Sequence, residues 1–537
     1  MVRVQGPERQ WCLGLLALLK EREDLIMSNF MSNLEKTAND RKQFTENGAV
    51  GYRTTGKELL DLNFKVSSLR SASDVEIADS FLKAYFEDRI LALRWLFYAR
   101  DCREGLGERR LFRVAIKKLA NMDPLVVNAL IPVIPEYGRY DDLWVLLENP
   151  YSRKVVIDFV DKQLTEDIEN RMKNKPISLL AKWLPSANAS SHQTKMYAKH
   201  IIKGLHISEK SYRKTLSNLR QYTNVVEVKM SSKNWGEIDY EAVPSRANLV
   251  YNSAFLRNDE IRRRAFLNAL ERGEKKINAS TLFPHDIVYK YRGGMRADQA
   301  IEALWKNLPD TVKGCGNTIV VADGSGSMCS RVSSASNVSA LEVANSLAIY
   351  FAERSSGQFK DKYISFSMTP EIVDLSRGKN LYEKLRIAKQ YNEVANTNVE
   401  AVFDLILTSA VENKMTQEDL PANILIISDM EFDACASASG GGYWSVNPLT
   451  NTLFEEIGKK YEAAGYKMPR LVFWNVCSRT NTIPVKENDL GVALVSGFSV
   501  NIAKMVMSNK TDPYECLVET LKAPRYDLVE EVIKDII

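Results

Sequence analysis

The run Asp323-Gly324-Ser325-Gly326-Ser327-Met328 puts one carboxylate and two hydroxyls on a tight loop whose glycines permit a sharp turn. All three are hard oxygen donors. A small divalent cation such as Mg²⁺ prefers such ligands and usually keeps waters or an open position beside them. Two further oxygens complete the set. Thr397, within Asn396-Thr397-Asn398, opens a helix expected over 399–412, and Asp429 closes the apolar run ILIISD at 424–429. The candidate ligands are therefore Asp323, Ser325, Ser327, Thr397 and Asp429, with Mg²⁺ or another divalent cation as the cofactor.

Those residues need a scaffold. After residue 316, short, partly β-branched apolar runs at 318–323, 363–366, 424–429, 471–476 and 492–496 alternate with helical stretches at 340–353, 381–390, 399–412, 452–464 and 500–507. The alternation predicts a Rossmann-like, mostly parallel sheet with helices on both faces. Such sheets bind ligands outside the carboxyl ends of their strands, where the strand order switches. Two of these strands end in aspartate, at 323 and 429, so the fold itself sets two carboxylates on the binding edge.

Before residue 310 the apolar period is helical, at 77–98, 109–120, 125–134, 141–147, 154–169, 178–184, 195–203, 209–222 and 257–276. Breakers such as Asp123-Pro124 and Asn149-Pro150 separate the segments. The expected fold class is α followed by α/β. A HEAT-like helical-repeat domain spans 41–310, the sheet domain spans 311–537, and residues 1–40 form an extension with no folded role. No exact repeat period is found.

Several function classes drop out. The four histidines, His192, His200, His206 and His285, all precede residue 300, so a Ser-His-Asp hydrolase built within the sheet domain lacks its base. No P-loop signature is present. Seven scattered cysteines, never in a C-x-x-C pair, read as reduced thiols in a cytoplasmic setting. No apolar run approaches the ~18 residues of a membrane span, and neither a signal peptide nor membrane association is expected. A metal-dependent nuclease would need further carboxylates placed to activate water.

Asp323, Ser325 and Ser327, then Thr397, then Asp429 resemble the three motifs of the metal-ion-dependent adhesion site in von Willebrand factor A-type domains. That resemblance implies an Mg²⁺ held partly through water, with a protein partner offering a carboxylate to the open position. Glu431 and Asp433 are expected to be solvated loop acids, the alternative being groups that tune the site from behind its ligands; Gly440-Gly441-Gly442-Tyr443-Trp444 is expected to be a surface loop, and Cys329 a packing residue.

Charge points to a second partner. Residues 171–300 carry 24 Lys and Arg against 11 Asp and Glu, a net of +13, while 301–537 carry 23 against 30, a net of −7. A basic block of this size fits a polyanion. Its candidate RNA contacts are Lys195, Lys199, Lys203, Arg213, Lys214, Arg220, Arg262, Arg263 and Arg264, with Tyr212, Tyr222 and Trp235 as stacking surfaces.

Two helical segments, 100–109 (RDCREGLGER) and 138–143 (GRYDDL), resemble the TROVE module of the Ro ribonucleoprotein, where an A-type domain also follows the helices. A closer resemblance is to a family of uncharacterised proteins with this two-part plan, carried by 45–49 (TENGA), 181–185 (AKWLP) and 428–433 (SDMEFD). The Ro resemblance implies binding of small structured or misfolded RNA on a basic ring. Arg100, Arg103, Arg109 and Arg139 lie in the matching segments, where pairing with aspartates to hold helices together is the expected role. The leading expectation is a non-enzymatic, Ro-like RNA-binding protein whose Mg²⁺ site engages a protein partner. The alternative is an interaction adaptor that uses the metal site without RNA.

Overall fold

The computed structural model describes residues 42–537 apart from 224, 293–295, 313–316, 367, 393–396, 434–452, 485–491 and 507–511. The described residues begin with a hairpin of β1 (Lys42–Phe44) and β2 (Val50–Tyr52), then run through helices as far as Gln299–Lys306. Local chemistry sets the helix boundaries. Ser73, Asp88, Asp123, Asn149, Ser191 and Ser208 each cap a following helix by accepting a backbone N–H, and Pro124 and Pro150 occupy first-turn positions. The helical stretch expected over 77–98, as one helix or two, is two: Asp74–Glu87 and Arg89–Arg100. Asp88 is extended there (φ −150°), and its side chain caps the second helix. Asp259, at φ −149° but without a side-chain cap, separates Ser245–Asn258 from Glu260–Glu271 within the stretch expected over 257–276.

The second part is a six-stranded sheet built from β3 (Thr318–Asp323), β4 (Lys362–Phe366), β5 (Glu371–Asp374), β6 (Asn423–Ser428), β7 (Arg470–Asn475) and β8 (Ala493–Ser496). Its order is β5-β4-β3-β6-β7-β8, parallel except for the β4–β5 hairpin at one edge. The chain leaves β3 toward β4 and β5, then returns to β3's other side as β6. The switch in strand order thus lies between the carboxyl ends of β3 and β6. The helix Ala340–Arg354 is buried along almost its whole length and packs on β3, β4 and β6. A capping box between Ser339 and Glu342 starts it.

The two parts meet over a broad surface. The buried Arg94 guanidinium donates to the Leu521 carbonyl at 3.0 Å, to Asp527 at 2.9 Å and to Glu530 at 2.6 Å. Asn475 on β7 donates to the Phe64 carbonyl at 3.0 Å, and Ser496 bonds Ser67 at 2.8 Å. Helices Pro513–Leu521 and Asp527–Glu531, which follow the sheet, lie against Arg89–Arg100. Among the described residues no helix is long and apolar enough to cross a membrane.

His285 sits in this junction, stacked on Phe283 and edge-on to Phe498, with its Nδ1 unpaired. Burial pulls its pKa down to about 4. The unfolded chain, near 6.5, therefore binds the extra proton first as pH falls. Stability contributed by neutral His285 is complete above pH 6.5 and lost on acidification toward pH 4, by about 3 kcal/mol in all. Thermal melts of His285→Phe should show a shallower loss over that window than the wild type, and equal slopes would refute the assignment.

Candidate metal centre

The switch point gathers the oxygen side chains. Asp323 ends β3 beside Ser428, the last residue of β6, whose hydroxyl donates to Asp323 Oδ2 at 2.5 Å. The other carboxylate oxygen accepts the Ser325 N–H at 2.9 Å. Gly324 lets the loop turn tightly: its N–H donates to the Phe366 carbonyl at 2.7 Å, and an added Cβ would lie 3.3 Å from Ser365 Oγ. Ser325 and Ser327 hydroxyls are 3.0 Å apart, and Ser327 hydrogen-bonds Asp429. Thr397 is held by a reciprocal pair with Asp433, Thr397 N–H to Asp433 Oδ2 at 3.0 Å and Asp433 N–H to the Thr397 carbonyl at 3.0 Å. The structure thus brings Asp323, Ser325, Ser327 and Asp429 together, with Thr397 tied into their rim. Ala395 and Asn396 lie outside the described residues.

Asp323, Ser325, Thr397 and Asp429 are each at most 2% exposed. Burial raises the Asp323 carboxyl well above the usual range, and burial plus the Asp323 charge does the same to Asp429. The nearest cation to either is Arg479, whose guanidinium stands 3.5 Å from Asp429. Two buried carboxylates so weakly compensated, ringed by three hydroxyls, suit a hard divalent cation, which would neutralise both. Among the described residues no group of three or more His, Cys, Asp or Glu side chains is placed to hold a metal ion.

Glu431 corrects the expectation of a solvated loop acid. Met430, at φ 64°, turns the chain back after Asp429, and the Glu431 carboxylate lies fully buried. It accepts the N–H groups of Arg479 and Thr480 at 2.9 Å each and the hydroxyls of Ser478 at 3.2 Å and Thr480 at 3.0 Å. It also accepts the Glu46 N–H at 2.9 Å. Asn47 in the same turn donates to the Glu431 carbonyl at 2.7 Å and to Thr397 Oγ1 at 3.3 Å. Asn47, Ser428, Glu431 and Arg479 are absent from the ligand set read from sequence. Their nearest signals there were the stretches 45–49 and 428–433. Cys329 is exposed rather than packed, and the loop 440–444 lies outside the described residues.

The basic candidates divide by burial. Lys195, Lys199, Lys203 and Lys214 are exposed on helices His192–Gly204 and Glu209–Tyr222 with no ion pair among the described residues. Arg213 is exposed but 3.8 Å from Glu209, and Arg264 pairs with Glu260 at 2.7 Å. Arg263 is withdrawn as an RNA contact. It is fully buried, bonded to Asn248 and Asn252, and desolvation pulls its pKa down to about 10. Arg220 donates to the carbonyls of Ala181 and Leu184, and Arg262 to those of Trp235 and Ile238, so both tie loops to helices. Tyr212 is fully buried and offers no ring to a base, while Tyr222 bonds the Lys175 carbonyl and Trp235 is half-buried against Phe255. In the helical part, Arg100 pairs with buried Asp142 at 2.7 Å and Arg139 with Asp141 at 3.0 Å.

Residues 317–527 match a family described as a domain of unknown function, DUF7788. Residues 45–141 and 153–318 match a second, DUF2828. The chain is also 29% identical over 519 residues to the mimivirus protein described as "Uncharacterized protein L728" of Acanthamoeba polyphaga mimivirus, covering 89% of this chain and 87% of that one.

Proposed function

We propose that this chain is a non-catalytic binding protein in which a von Willebrand factor A-type domain holds a divalent cation and a Ro-like helical-repeat domain binds structured RNA. The observation that carries the metal half is the convergence of Asp323, Ser325, Ser327 and Asp429, with Thr397 at their rim, on the switch point between β3 and β6. These side chains would hold Mg²⁺. The cation would offer an electrophilic position to an acidic group on a protein partner. Asp323 is oriented for this by Ser428 and the Ser325 N–H, and Thr397 by Asp433 and Asn47. The helices pack mainly on neighbours in sequence, as repeat arrays do. The free thiols Cys102, Cys329, Cys477 and Cys516 suit a reducing, cytoplasmic setting.

The test is direct titration of the full chain with Mg²⁺ and Mn²⁺, followed calorimetrically and by the thermal shift at saturation. Absence of both binding and stabilisation sinks the metal reading.

RNA binding is favoured by the row Lys195, Lys199 and Lys203, one helical turn apart on an exposed face, and by exposed Lys214 on the next helix. Affinity for structured RNA should fall with salt, with a log–log slope of roughly 0.7–0.9 per phosphate contacted. Neutralising Lys195, Lys199, Lys203 and Lys214 together should lower that slope by about 3, whereas Arg263→Ala should destabilise the fold and leave the slope of the folded fraction unchanged. Salt-independent binding, or none, moves the assignment to a partner-binding adaptor without RNA.

A further inference from the structure

We infer that the β1–β2 hairpin is a releasable cap on the Asp323–Asp429 site, and that Arg479 is an internal cation which a bound metal displaces. The inference rests on the cation-binding reading above and adds its regulation. Turn 45–49 reaches several loops of the rim. Thr45 Oγ1 donates to the Phe432 carbonyl at 2.6 Å, Asn47 bridges Thr397 and the Glu431 carbonyl, and Gly48 pairs with Asp433. Asp323, Thr397 and Asp429 are almost wholly buried beneath these loops, while Ser327 stays half-buried at the edge. A protein ligand that reaches Thr397 or Asp429 from the side of the turn requires the turn to lift.

Arg479 connects the cap to the carboxylates. One guanidinium nitrogen lies 2.6 Å from Glu46 Oε2 and 3.5 Å from Asp429 Oδ2. Its backbone N–H is clamped by Glu431 at 2.9 Å, so displacement needs only a change of side-chain rotamer in a residue whose side chain is already 38% exposed. A divalent cation beside Asp429 repels the guanidinium. As Arg479 swings out, Glu46 loses its partner and the turn loses one of its ties.

The hairpin is built to yield. Each strand has three residues, β2 meets the loop after β7 through a single bridge at Ile483, and Phe44 at its edge is 58% exposed. A two-stranded ribbon is marginal by itself, so this one holds its place through its ties to the loops at 431–433 and 478–483 and through buried Ala49 and Tyr52. The anchor is Tyr52, buried and hydrogen-bonded by its backbone to Ile483 in both directions at 2.8 Å.

The test uses the full chain, Mn²⁺ titration by electron paramagnetic resonance, and hydrogen exchange of peptides covering 42–52. Arg479→Gln should bind Mn²⁺ roughly tenfold more tightly, since a like charge is removed from a partly exposed site. Glu46→Gln should bind less tightly than wild type, because Arg479 is left wholly to Asp429. Saturating Mn²⁺ should speed exchange across 42–52 several-fold in the wild type. Metal binding with both affinities unchanged, or with slower hairpin exchange, overturns the cap while leaving the cation site standing. Failure of wild type and both variants to bind Mn²⁺ removes the cation site and the cap together.

Discussion

Asp323→Asn should lower divalent-cation affinity by at least about a hundredfold and, in the same protein without metal, raise the melting temperature. A factor of a hundred corresponds to roughly 2.7 kcal/mol, a modest toll for removing one of two charged ligands. The second effect has the opposite sign because of the site's electrostatics. Asp323 and Asp429 are both buried, and the Asp323 charge raises the Asp429 carboxyl. Removing one charge relieves that repulsion. The asparagine still offers an oxygen to the Ser325 N–H, and Ser428 can turn its hydroxyl to accept. Relief of about 1 kcal/mol would lift the melting temperature of a chain this size by roughly 1 °C. Scanning calorimetry in chelator and in saturating Mg²⁺ reads both: the variant should melt above wild type in the first and below it in the second. A variant that melts lower in both conditions marks Asp323 as a structural acceptor, and the metal assignment fails.

The second large effect is at Glu431. Alanine there should destabilise the protein by about 3–5 kcal/mol, because it strands several buried donors from two segments at once. The backbone groups of Glu46, Arg479 and Thr480 and the hydroxyls of Ser478 and Thr480 all point at this one carboxylate. Glu431→Gln should cost less, since one amide oxygen still accepts. Chemical denaturation of both variants gives the ordering, and hydrogen exchange should show the loss concentrated in 42–52 and 478–483. A solvated loop acid would instead shift stability by no more than about 0.5 kcal/mol.

The sheet strands could be placed in the sequence to within a residue or two because each is a compact apolar run. Their helices alternate with them, as a parallel sheet requires. The edge strand β5 (EIVD) and the hairpin strands β1 and β2 were not legible: each has three or four residues and no apolar alternation to mark it. The helices Gln299–Lys306 and Pro513–Leu521 were missed too. Both are short; Pro513–Leu521 packs on Arg89–Arg100 and Glu58–Phe64, far away in sequence, whereas Gln299–Lys306 packs on the helices between 245 and 288. Among the basic residues, charge alone could not distinguish Lys199, free on a helix face, from Arg263, sealed beneath Tyr240 and Phe255.

What the sequence determined by itself is the chemistry and order of the candidate ligands. Asp323, Ser325, Ser327 and Asp429 lie at the ends of two hydrophobic strands, and strand periodicity together with the switch-point rule carries them to one edge. What only the tertiary structure decided is what lies across that edge. Asn47 stands 350 residues from the threonine it touches, and Glu46 more than 400 from Arg479. No local pattern records such a pairing, because it depends on the helical part folding back until its first hairpin meets the sheet. Glu431 belongs with them: two residues from a candidate metal ligand it reads as one more loop acid, and only a left-handed turn at Met430 drives it into the protein.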